Sequence, residues 1–156
     1  MLNISSYIDH TLLKPTTTSA DIKKLCEEAI QYHFVAVCIP PCWVKQASDF
    51  LSGSGVKVAT VVGFPLGYEV LKAKLIETEQ AMLEGAQELD AVINISALKS
   101  GSWSYLQKEM ESIQQSEPRF WGKSVKEPGV RELLDRLVRK AEVEEKKKET
   151  KSSERK

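Results

Sequence analysis

The chain has 156 residues, 42% hydrophobic and 28% charged, a balance that fits one globular domain with a genuine core and a short appendage. Its 22 basic and 22 acidic residues cancel, which argues against a global field for nucleic acid or an anionic membrane, and no run approaches the ~20 apolar residues that span a bilayer. The opening residues carry neither a basic nor an apolar region of the secretory type, and three cysteines without framework spacing argue against a disulfide scaffold, so the expectation is a cytoplasmic chain with free thiols.

Thr18-Ser-Ala-Asp21 has the form of a helix-capping arrangement, and Ile22, Leu25, Cys26, Ala29 and Ile30 follow at helical spacing on one face. Residues 34–39 form a short β-branched-rich run, a predicted strand stopped by Pro40 and Pro41. Those prolines suit the first turn of a helix reaching Leu51. After Gly53 and Gly55, residues 56–62 predict a second strand that ends in Gly63-Phe-Pro-Leu-Gly67. This segment matches no phosphate-binding fingerprint and reads as a tight strand-to-helix turn. A longer helical pattern holds Val70, Leu71, Ala73, Lys74, Ile76, Ala81 and Met82, with Gly85 as its stop. Residues 89–95 predict a third strand and residues 102–113 a further helix.

Such alternation reads as consecutive right-handed βα units around a parallel sheet. The doubly wound sheet and the eight-stranded barrel both begin this way, and three strands do not choose between them.

The third predicted strand carries the chemistry. Its alternation puts Leu89, Ala91, Ile93 and Ile95 on an apolar face suited to covering helices, and Asp90, Val92 and Asn94 on the other. Both faces of a parallel sheet are normally buried, and a buried Asp without a partner has a raised pKa, the environment in which a carboxylate passes protons. A structural Asp held by backbone groups or a lysine fits the same pattern. Cys38 lies near the C-terminal end of the first predicted strand, where parallel α/β proteins place their sites, although a small buried hydrophobe is the commoner role. Cys38 and Cys42 lack further ligands at zinc spacing, so no metal site is expected. Asp9-His10-Thr11 precedes the first predicted strand. Adjacent residues rarely face one another and no nucleophile elbow completes a triad, so His10 reads as a loop or capping residue.

Taken in order, Ile8-Asp-His-Thr-Leu-Leu-Lys-Pro15, Val35-Ala-Val-Cys-Ile39, Val58-Ala-Thr-Val-Val-Gly-Phe-Pro-Leu-Gly67 and Gly85-Ala-Gln-Glu-Leu-Asp-Ala-Val-Ile-Asn94 resemble the N-terminal part of the deoxyribose-phosphate aldolase family, over residues 4–114. The resemblance implies a (βα)8 TIM barrel and reversible cleavage of 2-deoxyribose 5-phosphate to acetaldehyde and glyceraldehyde 3-phosphate. It implies a lysine Schiff base, with no metal or other cofactor. By position Asp90 resembles the family's proton-relay aspartate and Cys38 its active-site cysteine. Asp9 and Thr11 resemble a polar pair in the first unit, the threonine bordering the substrate. The partner it implies is a small sugar phosphate.

The match has a limit. The family's Schiff-base lysine sits in a Phe-Val-Lys-Thr-Ser-Thr-Gly-like segment on the sixth strand, a second lysine follows on the seventh, and later glycine- and serine-rich turns hold phosphate. None of these segments occurs in the 156 residues, and the remaining lysines, such as Lys99 and Lys123, fall in predicted loops or on exposed faces. The expectation is about three βα units of a barrel with an N-terminal helix over residues 1–115, inactive alone, with unpaired edges and an uncovered inner face. The alternative is a non-catalytic half-barrel that binds partners through its sheet edge and tail.

Beyond the body, residues 116–128 have linker composition, and eighteen of the last thirty residues are charged. Val130, Leu133, Leu134, Leu137, Val138 and Ala141 make an amphipathic stripe within a predicted helical tail over residues 129–156, whose charged end is expected to be disordered. The stripe is suited to cover the fragment or to mediate self-association. Acidic residues around Lys146-Lys-Lys148 argue against nucleic-acid binding.

Overall fold

The structure is a computed structural model that describes residues 4–116; the predicted linker beyond Ser116 and the helical tail lie outside the described residues. After a single 3-10 turn, four strands alternate with helices: β1 (Asp9–Thr11), α1 (Ser19–Tyr32), β2 (Ala36–Ile39), α2 (Val44–Phe50), β3 (Lys57–Val62), α3 (Leu71–Leu83), β4 (Glu88–Ala91), α4 (Ile95–Lys99) and α5 (Trp103–Ser116). The strands form one parallel sheet in sequence order, β1-β2-β3-β4, with Asp9 opposite Ala36, Cys38 opposite Ala59, and Val61 opposite Asp90. Sequential order without a switch point is how a barrel begins, whereas a doubly wound sheet reverses direction across its first strand.

Local chemistry sets the element ends. Thr18 caps α1 as expected: its hydroxyl accepts from the Asp21 amide, and the Asp21 carboxylate accepts from the Thr18 amide at 2.9 Å. Pro40 and Pro41 lead through a one-turn 3-10 segment into α2. Gly85 follows α3 at φ 108°, a stop that a residue with a side chain would strain. The Gly63–Gly67 turn closes with the Gly67 amide donating to the Gly63 carbonyl at 2.8 Å. A Cβ on Gly67 would lie 2.2 Å from the Ile93 carbonyl oxygen, so no larger residue fits between this turn and the end of β4.

Three expectations are corrected. The sheet has four strands rather than three, because the Asp9-His10-Thr11 segment is β1. Three residues are too few to show a period, and the strand forms because β2 offers it a ladder. His10 is thus a strand residue, its Nε2 2.8 Å from Glu28 Oε2 of α1 and its ring 5.1 Å from that of Phe34. The fourth strand stops at Ala91, well short of residue 95. Asn94 instead caps α4 by accepting from the Ala97 amide at 2.9 Å, and Ile95 is a half-exposed helix residue. Ile30, expected on the buried stripe of α1, is likewise 41% exposed.

The main core lies between the helices and the outer face of the sheet. Ile22, Leu25, Cys26 and Ala29 of α1 meet Val37 and Ile39 of β2, Val58 of β3, and Val44 and Ala47 of α2. Burying each large aliphatic side chain here contributes roughly 1.5–3 kcal/mol. A second, polar element ties down β3 and β4. The fully buried Lys74 ammonium of α3 donates to the carbonyls of Gly67 and Val92 at 2.8 and 2.7 Å and to Glu109 Oε1 of α5 at 2.9 Å. The other carboxylate oxygen of Glu109 accepts from the Asn94 amide at 2.9 Å. This ion pair has its donors and acceptors matched, the condition under which a buried pair is tolerated. Among the described residues no helix is long and apolar enough to cross a membrane.

Candidate active site

Asp9, Thr11, Cys38 and Asp90 face the inner side of the sheet, whereas His10 faces α1 and Asn94 caps α4. Strand alternation puts Asp9 and Thr11 of β1, Ala36 and Cys38 of β2, Lys57, Ala59 and Val61 of β3, and Glu88 and Asp90 of β4 on that face. Its middle is apolar and small: Ala36, Cys38, Ala59 and Val61 form a buried cluster with Leu13 and Val35 packed on it. The expected uncovered inner face is therefore closed at its centre and open at its two edge strands, where Asp9, Thr11 and Asp90 are exposed.

Exposure also corrects the reading of Asp90. It was expected to be buried within a sheet covered on both faces. It is exposed on β4, an edge strand of the sheet among the described residues. Its carboxylate nevertheless meets Cys38, two strands away: Sγ donates to Asp90 Oδ2 at 3.9 Å. In the sheet Cys38 stands opposite Ala59 and Asp90 opposite Val61, so the contact runs diagonally across β3. Thr11 is the register partner of Cys38, and its hydroxyl donates to the Asp9 carbonyl at 3.0 Å. Cys38, Thr11 and Asp90 thus gather at the C-terminal side of the sheet, the end at which βα loops build sites.

The electrostatics are those of an acidic patch. Burial, and then the charges of Asp90 and Asp9, push the Cys38 thiol up to about 11. Cys38 is consequently a neutral S–H donor at physiological pH and has no thiolate for nucleophilic attack. Asp9 is held above the usual carboxylate range by desolvation and by the charges of Glu88 and Asp90, with Lys57 opposing. Lys57 is the one cation on this inner face among the described residues, and it is already bound to Glu88 Oε1 at 2.6 Å. Asp90 is open to solvent, and among the described residues no amine is bonded to it.

Sequence reasoning overlooked Lys57 and Glu88, although their signal was available: they stand two residues before Ala59 and Asp90, on the same face. The Lys74–Glu109 pair had no such signal, being joined only by the packing of α3 on α5. A groove of about 530 Å³ between Pro41, Cys42 and one side of α3 contains none of the predicted site residues.

A sequential parallel sheet with helices outside defines part of a TIM-type barrel, a class of fold that builds its sites at the C-terminal ends of its strands. The family model described as DeoC/LacD family aldolase matches residues 4–116, and the chain belongs to that family. It is 50% identical over 113 residues to the deoxyribose-phosphate aldolase of Caldanaerobacter subterraneus, covering 72% of this chain and 49% of that one. It is 51% identical over 114 residues to the deoxyribose-phosphate aldolase of Thermococcus gammatolerans, covering 72% and 51%. Among solved structures, the aldolase QR15 superimposes with a TM-score of 0.72 at 36% identity, covering 76% of this chain and 52% of QR15. A tetrameric deoxyribose phosphate aldolase from Aeropyrum pernix gives a TM-score of 0.58 at 33% identity, covering 70% and 48%. The chain spans about half the length of the curated relatives it matches.

Proposed function

We propose that residues 4–116 supply the first half of a class I aldolase site for 2-deoxyribose 5-phosphate, and that the 156-residue chain on its own does not turn this substrate over. The observation that carries the reading is the meeting of Asp90 with Cys38 beside Thr11 at the C-terminal mouth of a parallel sheet. In this reading Asp90 is the proton relay. Thr11 and Asp9 line the sugar, and Cys38 is a neutral wall and hydrogen-bond donor.

The chemistry explains why half a site is insufficient. A lysine amine adds to the C1 aldehyde and loses water to give an iminium. The C3 hydroxyl then gives up its proton, the C2–C3 bond breaks towards the iminium, and glyceraldehyde 3-phosphate leaves. Protonation of the enamine carbon and hydrolysis release acetaldehyde and the lysine. Asp90 serves the proton transfers but forms no bond to the sugar, and the amine must be unprotonated near neutral pH through desolvation or a neighbouring cation. Lys74 is fully buried and engaged by three acceptors, and Lys57 is ion-paired, so neither meets that requirement. A soluble, monomeric or self-associating half-barrel with the family's fold is the expected state of the chain alone.

A chimera tests the reading: residues 4–116 of this chain replace the matched segment of the Caldanaerobacter relative. The expected result is retro-aldol turnover of 2-deoxyribose 5-phosphate and a borohydride-trapped adduct by intact mass, with turnover falling at least 100-fold in Asp90→Asn. A folded chimera without turnover would overturn the assignment of these residues. Adduct formation by the unmodified 156-residue chain would overturn its predicted inactivity.

A further inference from the structure

We propose that the groove between α3 and the entry to α2 is a docking site for this chain's own residues 130–141, the amphipathic stripe beyond Ser116, laid along α3 as an intramolecular helix. The contact uses no inner-face residue, so it stands or falls apart from the aldolase reading.

The groove, about 530 Å³, has Pro41 and Cys42 on one side and α3 on the other. Its α3 wall is made by Ala73, Ile76, Glu77, Gln80, Ala81 and Glu84. These positions fall at i, i+3, i+4, i+7, i+8 and i+11, which makes one continuous helix face. The body leaves much of that face open. Ile76 is 57% exposed, and Leu83, seven residues on and on the same side of the helix, is 74% exposed. An open apolar line rimmed by polar groups marks a contact surface.

Three properties select the occupant. The first is shape: Val130, Leu133, Leu134, Leu137, Val138 and Ala141 repeat the same i, i+3, i+4, i+7, i+8, i+11 spacing. Both faces are therefore about 16 Å long at 1.5 Å per residue, and ridges of this kind pack into one another's grooves. The second is charge. The charged side chains of the groove are both acidic, Glu77 and Glu84, and neither is ion-paired among the described residues. On a helical projection Arg131 borders the stripe on one side and Lys140 on the other. Asp135 and Arg136 stand one step further out on opposite sides, and Glu132 and Arg139 fall on the far face. Basic borders thus meet an acidic groove. The third is reach. α5 packs on α3 and ends at Ser116, and residues 117–129 extend to about 40 Å, well beyond the ~10 Å width of a helix. Tethering also favours the chain's own stripe over that of a second copy, since a short flexible linker gives an effective concentration of the order of millimolar.

Cys42, exposed on the groove wall, serves as reporter. Its alkylation by iodoacetamide is followed by peptide mass in the full 156-residue chain and in two variants, Leu133→Glu/Leu137→Glu in the stripe and Ile76→Asp in the groove. Buried Cys26 is the control, because its continued protection shows that the body stays folded. In the full chain Cys42 is expected to react before Cys26 and Cys38, yet at least fivefold more slowly than in either variant. That rate should be independent of protein concentration and should rise with salt. Equal rates in all three chains overturn the proposal. So does protection that grows with protein concentration, which would make a second copy the occupant. Protection lost in only one of the two variants also counts against it, since groove and stripe would then have different partners. Should Ile76→Asp expose Cys26, Glu84→Lys replaces it: reversing one groove charge should speed Cys42 labelling at least twofold, and an unchanged rate in the folded variant overturns the pairing.

Discussion

The two faces of this one sheet do different work. On the outer face Val37, Ile39 and Val58 are no more than 2% exposed and interlock with α1 and α2. On the inner face small residues fill the centre and carboxylates occupy the edges. Stability is concentrated in the first, together with the Lys74–Glu109 tie behind β3 and β4. The proposed chemistry is concentrated in the second, where side chains must stay available to a ligand. The ordered arrangement of the inner-face residues is therefore held by the packing of the other face.

The largest effect should come from breaking the tie. Lys74→Met leaves Glu109 buried without its cation and removes the donor that the Gly67 and Val92 carbonyls accept from. A loss of about 3–5 kcal/mol by urea denaturation is expected, with partial recovery in Lys74→Met/Glu109→Leu. Full stability in the single variant would mean that solvent reaches the pair.

A smaller contrast separates the faces themselves. Ile22→Ala on α1 opens the outer core and should cost about 2–5 kcal/mol. Asp90→Asn on the inner edge should change stability by no more than about 0.5 kcal/mol, because the residue is exposed. Comparable losses from both would show that the inner face is as closed as the outer.

The thiols give the subtlest test. Cys26 is pushed up to about 11 by burial and the charge of Glu27, and Cys38 to about 11 by burial, Asp90 and Asp9, whereas Cys42 is exposed. Iodoacetamide at pH 8 should label Cys42 first, read by peptide mass. The folded-state values lie above those of an unfolded thiol, so folding excludes the thiolate form. Stability is then fully present below about pH 8.5 and declines as pH rises towards 11. A flat stability profile across that window would contradict the burial of both residues.

Much of this fold was legible locally. The Thr18–Asp21 capping box, the proline-led start of α2, the glycine-bounded turn at 63–67 and the stop at Gly85 each depend on residues within a few positions of one another, and each stands where the sequence put it. The alternation of β4 likewise put Asp90 on the face opposite Leu89. What failed was whatever depended on distant neighbours. A three-residue strand exists only because β2 lies beside it, and the exposure of Asp90 depends on what covers β4.

The sequence by itself determined the order of the later βα units and the placing of Asp90 on the face opposite Leu89, because alternation and caps are properties of short segments, while its ordered motifs carried the resemblance to the family and with it Asp9, Thr11 and Cys38. The tertiary structure alone decided that Cys38 reaches Asp90 two strands away, that Lys74 is sealed against Glu109, and that Lys57 is the inner face's cation among the described residues. Those facts depend on how strands 20 or more residues apart are staggered and on which helices close over them, and no local pattern encodes that geometry.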